Sequence, residues 1–169
     1  NAVVVVIATI SYFLLEQRHT LTDDPSLAGQ WVTSFFMANS SRSAGFNSVH
    51  MNFLANPTII MVVILMWVGA SPGSTGGGAK VTTVALALLN IIALARGKES
   101  IEIYKRRIAS ESVNKAFAII LLSVFTITLS FILLNFADPA KPMKDLLFET
   151  VSAYTTCGLS LGITPSLSA

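Results

Sequence analysis

From Met51 to Ala95 the chain runs for 45 residues with one charged side chain, Lys80. A helix needs about 20 apolar residues to cross the hydrocarbon core of a bilayer, about 30 Å thick. This run is therefore about twice as long as one crossing requires. Its centre reads Gly69-Ala-Ser-Pro-Gly-Ser-Thr-Gly-Gly-Gly-Ala-Lys80, with five glycines and one proline. Each interior glycine weakens a helix by about 1 kcal/mol and a proline by about 3, so the helix cannot continue through this segment. Two architectures remain: a hairpin of two full spans turning at the glycines, or one long helix broken inside the membrane. Irregular backbone at membrane depth survives only where protein buries it or where it lines a water-filled cavity. The second architecture would thus make the Gly-rich segment a working part.

Two further runs carry no charge, Ala2 to Leu15 and Ala116 to Phe136. The second, 21 residues long, is enough to cross at about 1.5 Å per residue and exceeds the usual core helix of a soluble protein. The first needs a few more residues ahead of Asn1. The chain opens inside an apolar run, with no basic leader region or cleavage site, and is expected to be a piece of something longer. Hydrophobic residues make up 53% of the 169 and charged ones 12%, about half the charge of a soluble domain. A net charge of +2 is too small and too scattered for a nucleic-acid-binding surface. The single cysteine, Cys157, excludes an internal disulfide framework and a cysteine-built metal site.

The polar segments orient the chain. Arg96, Lys98, Lys105, Arg106, Arg107 and Lys115 face Glu99, Glu102 and Glu111, a balance of +3 over twenty residues. By the positive-inside rule this connection is cytoplasmic. Glu16 to Asp24, with one arginine, and Asp138 to Asp145, with two lysines, carry fewer cations and are expected outside.

A shift of 113 residues superposes Ala2 to Leu15 on Lys115 to Thr128, Phe35 on Phe148 and Gly45 on Gly158. Each copy holds an apolar span, a polar turn (Asp23-Asp24-Pro25; Asp138-Pro139), a segment of about a dozen residues and a Gly-centred tetrapeptide. The short segments, Ala28 to Ser40 and Lys141 to Tyr154, cannot span and are too apolar for exposed loops, which points to re-entrant helices. Such a helix entering from outside aims its C-terminal end, worth about half a negative charge, at the midplane, where it attracts a cation. A strand-like return would then offer backbone carbonyls in place of an ion's hydration shell.

Three segments carry a family likeness: Ser41-Arg-Ser-Ala-Gly-Phe-Asn-Ser48, Gly69 to Thr83, and Phe148-Glu-Thr-Val-Ser-Ala-Tyr-Thr-Thr-Cys-Gly-Leu-Ser160. In order and content they resemble the Trk/Ktr/HKT superfamily of potassium transporters. The resemblance implies an all-α membrane protein built of potassium-channel-like repeats. Each repeat has a membrane helix, a re-entrant pore helix with its filter loop, and a second membrane helix. Residues 1–50 would be the first helix, pore helix and filter loop of the third repeat. Residues 51–97 would be its second helix, broken at 69–80, and 98–113 a cytoplasmic connection. Residues 114–169 would begin the fourth repeat. Carried over position by position, the filter would comprise Ser43, Ala44, Gly45 and Phe46 in one loop and Thr156, Cys157, Gly158 and Leu159 in the other. Their backbone carbonyls would hold K+, with no other metal. Gly73, Ser74, Thr75, Gly76, Gly77, Gly78 and Lys80 would form an intramembrane gate.

The same resemblance implies K+ uptake, by symport or down its gradient, across a bacterial plasma (inner) membrane crossed several times. It also implies a homodimer embedded in lipid and a cytoplasmic nucleotide-binding regulatory subunit, with no cofactor, no nucleic-acid partner and no catalytic residues. Alternatives are a Na+ or mixed monovalent cation transporter of the same architecture, or a non-conducting structural subunit. A phosphate-binding loop at Gly73 to Thr82 fails in detail: Ala79 precedes Lys80, Val81 follows it, and 18 uncharged residues from Phe53 to Ala70 stand where a short strand belongs. For an enzyme within the membrane, His19 and His50 are isolated and Glu149 is the one acid near a re-entrant segment. Glu149 is expected to brace its helix by hydrogen bonds, Arg42 to brace the first loop, and Lys80 to find carbonyls or a carboxylate outside this chain.

Overall fold

The computed structural model describes residues 2–23, 26–69, 71–74, 76–97, 102–103 and 106–167, with backbone only at 43, 102, 103, 106 and 107. Six helices follow one another: α1 (Ala2–Glu16), α2 (Leu27–Ser43), α3 (Asn56–Trp67), α4 (Val81–Ala95), α5 (Ser110–Ala137) and α6 (Met143–Tyr154). Short 3-10 turns occupy Thr20–Asp23, Met51–Phe53 and Thr164–Ser166. The all-helical expectation needs one small amendment. Two-residue strands, β1 (Glu102–Ile103) and β2 (Arg106–Arg107), pair antiparallel in the connection between α4 and α5. That connection must reverse direction because the two helices pack together.

Among the described residues α5 is the one helix long and apolar enough to cross a membrane, and 6% of its most apolar stretch is buried within the chain. At 28 residues it is about 42 Å long. It starts ahead of the uncharged run because Glu111 and Lys115 pair one turn apart at 2.6 Å, which supports helix at its polar entrance. The shorter apolar helices α1, α3 and α4 have 15, 12 and 15 residues.

The long uncharged stretch is a broken helix. Neither α3 nor α4 is long enough to cross alone, and they do not lie along each other as a hairpin would require. α3 packs on α1, α2 and α6, while α4 packs on α5. The two ends of the intervening loop nevertheless meet, with the Ala79 amide donating to the Trp67 carbonyl at 3.0 Å. Glycine is required at this closure: a Cβ on Gly69 would stand 2.8 Å from the Ala79 oxygen, and Gly69 has φ +59°.

The core lies where α1, α2, α3 and α6 converge, and Tyr12, Met37, Val62, Met66 and Phe148 are each at most 1% exposed. Glu16, wholly buried at the end of α1, belongs to this core and not to the outward turn it was expected to begin. It accepts from the Thr20 amide (3.2 Å), the Thr20 hydroxyl (2.8 Å) and the Ala55 amide (3.0 Å). Ala55 is the residue before α3, so one carboxylate ties the exit of α1 to the start of the broken helix. Glu16→Ala is expected to lower the thermal midpoint of the purified full-length protein, at a cost of about 2–3 kcal/mol for stranding buried donors. Glu16→Gln should lose less, since its amide oxygen still accepts.

The order of elements recurs: α1 and α2 pack together, as do α5 and α6, and each pair leads to a glycine of positive φ, Gly45 and Gly158. The short segments differ in length, however. α2 has 17 residues against 12 for α6, because its helix continues through Ser41-Arg42-Ser43.

Candidate functional site: two glycine loops and the broken helix

Each short helix ends by turning its backbone at a serine. The Ser40 carbonyl accepts from the Ala44 and Gly45 amides at 3.1 and 3.0 Å, and the Ser152 carbonyl accepts from the Cys157 amide at 3.0 Å. Each hydroxyl then reaches forward past the glycine, from Ser40 to the Phe46 carbonyl and from Ser152 to the Leu159 carbonyl, the latter at 2.6 Å. The two serines are 112 residues apart while the glycines are 113 apart, so the second loop holds one extra residue. The extra residue is absorbed at Thr156, whose φ of +55° is the one positive value at a non-glycine among the described residues.

Placement of the expected filter positions follows from these bonds. Ser43 is the last residue of α2 and Ala44 keeps helical angles, φ −94° and ψ −32°. The chain departs at Gly45, φ +69°, and Phe46 is 71% exposed. In place of a strand-like return, the first loop is thus helical up to its glycine. In the second loop Thr156 and Gly158 take positive φ, while Cys157 and Leu159 are buried.

The loops abut. The Cys157 thiol donates to the Ser41 carbonyl at 3.2 Å, and a Cβ on Gly45 would stand 2.0 Å from the Cys157 oxygen. The C-terminal ends of α2 and α6, each a partial negative charge, therefore meet where the two glycine loops touch. A cavity of about 360 Å³ opens beside the second loop, lined by Glu149, Ser152, Thr156, Gly158, Leu159 and Ser160 among others. Among the described residues no group of three or more His, Cys, Asp or Glu side chains gathers as a metal site.

Two buried side chains brace the loops. Arg42, 7% exposed, donates from Nε and Nη2 to the Gly69 carbonyl at 3.2 and 3.1 Å. It joins the end of α2 to the point where the broken helix opens. Glu149 accepts from the Ser160 hydroxyl, the Leu161 amide (3.2 Å) and the Thr164 hydroxyl (2.9 Å). Its partners lie on the segment after the second loop, so it holds that return and not only its own helix.

The Gly-rich loop rests against the start of the second glycine loop. The Gly77 amide donates to the Thr155 carbonyl at 3.0 Å and to the Thr156 hydroxyl at 2.9 Å. A Cβ on Gly78 would lie 2.9 Å from the Trp67 oxygen. Lys80 finds its partners within the chain and not outside it: its ammonium donates to the Ser74 carbonyl at 3.0 Å and to the Gly76 carbonyl. Gly73 stands clear of other atoms, and Thr75 lies outside the described residues, as do Asp24, Pro25, Ala70, Lys98, Glu99 and Lys105.

Residues 1–169 match the family model of TrkH, a cation transport protein. The chain belongs to this family. Among curated relatives, the Ktr system potassium uptake protein B of Vibrio alginolyticus is 38% identical over 164 residues, 96% of this chain and 36% of that protein. The Ktr system potassium uptake protein B of Bacillus subtilis is 36% identical over 163 residues, 95% of this chain and 36% of that protein. The potassium/sodium uptake protein NtpJ of Enterococcus hirae is 28% identical over 159 residues, 92% of this chain and 35% of that protein. This TrkH-family chain therefore spans about a third of the length of these relatives.

Three contributors escaped the sequence reading of this TrkH-family chain: Glu16, the serine pair Ser40 and Ser152, and the hydroxyl of Thr156. The serines had a detectable signal, a hydroxyl five or six positions before each repeated glycine. The other two had none, because their partners are distant in sequence or set by backbone angle.

Proposed function

We propose that this chain is part of the pore-forming subunit of a bacterial potassium uptake system in the plasma membrane. It supplies the third repeat (1–50 and 51–97), a cytoplasmic connection (98–113) and the beginning of the fourth repeat (114–169). The ion loses its water at a four-loop filter, two loops of which are centred on Gly45 and Gly158, where main-chain oxygens replace the hydration shell. The loop from Gly73 to Lys80 opens and closes the path beneath. The observation that carries this reading is the contact of the two glycine loops at the C-terminal ends of α2 and α6, with the Gly-rich loop bonded to one of them. The family resemblance adds a homodimer and a cytoplasmic nucleotide-binding regulatory subunit to the proposal. A mixed K+ and Na+ cargo is the second reading, favoured by the potassium/sodium name of the Enterococcus hirae relative.

The test is Rb+ uptake and potassium-limited growth of cells with the full-length protein, wild type against Gly45→Ser and Gly158→Ser. Lost uptake or altered Rb+ over Na+ preference is expected, and unchanged behaviour in both variants defeats the filter assignment. Deleting residues between Gly73 and Gly78 is expected to raise Rb+ flux severalfold. Flux at the wild-type level would leave that loop a mere connection between half-helices.

A further inference from the structure

We infer that the Thr156 hydroxyl is a latch holding the Gly-rich loop against the second glycine loop, which makes Thr156 a positioning residue for gating. The inference rests on the gate reading above and deepens it by naming what keeps the gate in place. Three observations converge. The Gly77 N–H is shared between the Thr155 carbonyl (3.0 Å) and the Thr156 hydroxyl (2.9 Å). That hydroxyl donates its own proton to the Thr155 carbonyl at 2.7 Å, so the same carbonyl is engaged from both sides and turned toward the loop. Thr156 holds φ +55°, a region in which a β-branched residue is an outlier and which persists only where surrounding contacts over-determine it. A glycine would sit there without strain but would bring no hydroxyl.

The approach is close enough to demand glycine on the other side too. A Cβ on Gly77 would stand 2.8 Å from the Tyr154 oxygen and 3.0 Å from the Thr155 oxygen. Thr156 is also where the second glycine loop accommodates the residue that the first loop lacks. The first loop holds the broken helix elsewhere, through Arg42 on the Gly69 carbonyl. The Gly-rich segment is thus pinned at its entrance by a guanidinium and near its exit by one neutral hydroxyl, and the neutral bond is the weaker of the two. A backbone rotation at Thr156, in a loop assigned to the filter, shifts the acceptor that Gly77 depends on, which couples filter to gate.

The test uses the full-length protein with Thr156→Val, which keeps the shape and removes the hydroxyl, and Thr156→Ser, which keeps the hydroxyl. Thr156→Val is expected to raise the maximal Rb+ uptake rate and the amide exchange of residues 76–79 by about two- to tenfold, the range one hydrogen bond supports. KM and Rb+ over Na+ preference should stay put. Thr156→Ser is expected to restore slow exchange. Wild-type exchange and flux in Thr156→Val overturn the latch, and so does a change of ion preference without a change of flux. Should the valine variant fail to accumulate, Thr156→Ala takes its place. The wild type itself supplies a further check, since a Gly77 amide exchanging as fast as that of Gly76 also overturns the proposal. If Gly45→Ser leaves ion preference intact while Thr156→Val still frees residues 76–79, the filter reading falls and the latch stands.

Discussion

Gly45→Ser in the full-length protein is expected to reduce Rb+ uptake by more than Gly158→Ser does. The difference is set by space. A side chain at Gly45 meets the Cys157 carbonyl oxygen at 2.0 Å and the Gly158 carbonyl carbon at 3.2 Å, while at Gly158 nothing in this chain lies within 4 Å. Both positions have positive φ, which costs an L-residue about 1–2 kcal/mol, but only Gly45 must also push a neighbouring backbone away. Overpacking a tight site adds about 1–3 kcal/mol, so a loss of uptake of tenfold or more is expected for Gly45→Ser, measured at limiting external Rb+. Equal uptake by the two variants would mean that the contact between the loops does not govern transport.

The second large effect is expected at Glu149. Glu149→Ala leaves the Ser160 hydroxyl, the Leu161 amide and the Thr164 hydroxyl without their shared acceptor. Hydrogen bonds to a charged group contribute about 1.5–3 kcal/mol each. These three share one carboxylate and the exposed ends regain water, so a loss on the order of 3 kcal/mol is expected for the set. Thermal unfolding of the purified full-length protein measures it. Glu149→Gln should recover part of the loss, because its amide oxygen can still accept from Ser160 and Leu161. A thermal midpoint for Glu149→Ala equal to that of the wild type would show that the return segment holds itself.

Much of the architecture was legible because it depends on composition along short stretches. The absence of charge from Ala116 to Phe136 marked the body of α5, and the glycines with Pro72 marked the break between α3 and α4. The shift of 113 residues paired the two glycine loops. Less legible were the ends of elements. α2 runs through Ser43 because nothing in Ser41-Arg42-Ser43 forbids helix, so the first two expected filter positions keep helical backbone. Glu16 looked like the first residue of an exposed turn, yet it is buried because the Ala55 amide, 39 residues away, comes to it.

Patterns of charge, glycine and proline act over one or two helical turns, and they suffice to tell apolar helix from break and to count the repeats. Which loop touches which was decided by packing alone. The Gly77 amide meets a hydroxyl 79 residues later in the chain, and the Cys157 thiol meets a carbonyl 116 residues earlier. Such bonds are not properties of a local stretch: both partners are common residue types, and their meeting depends on how α2, α3 and α6 converge on one core.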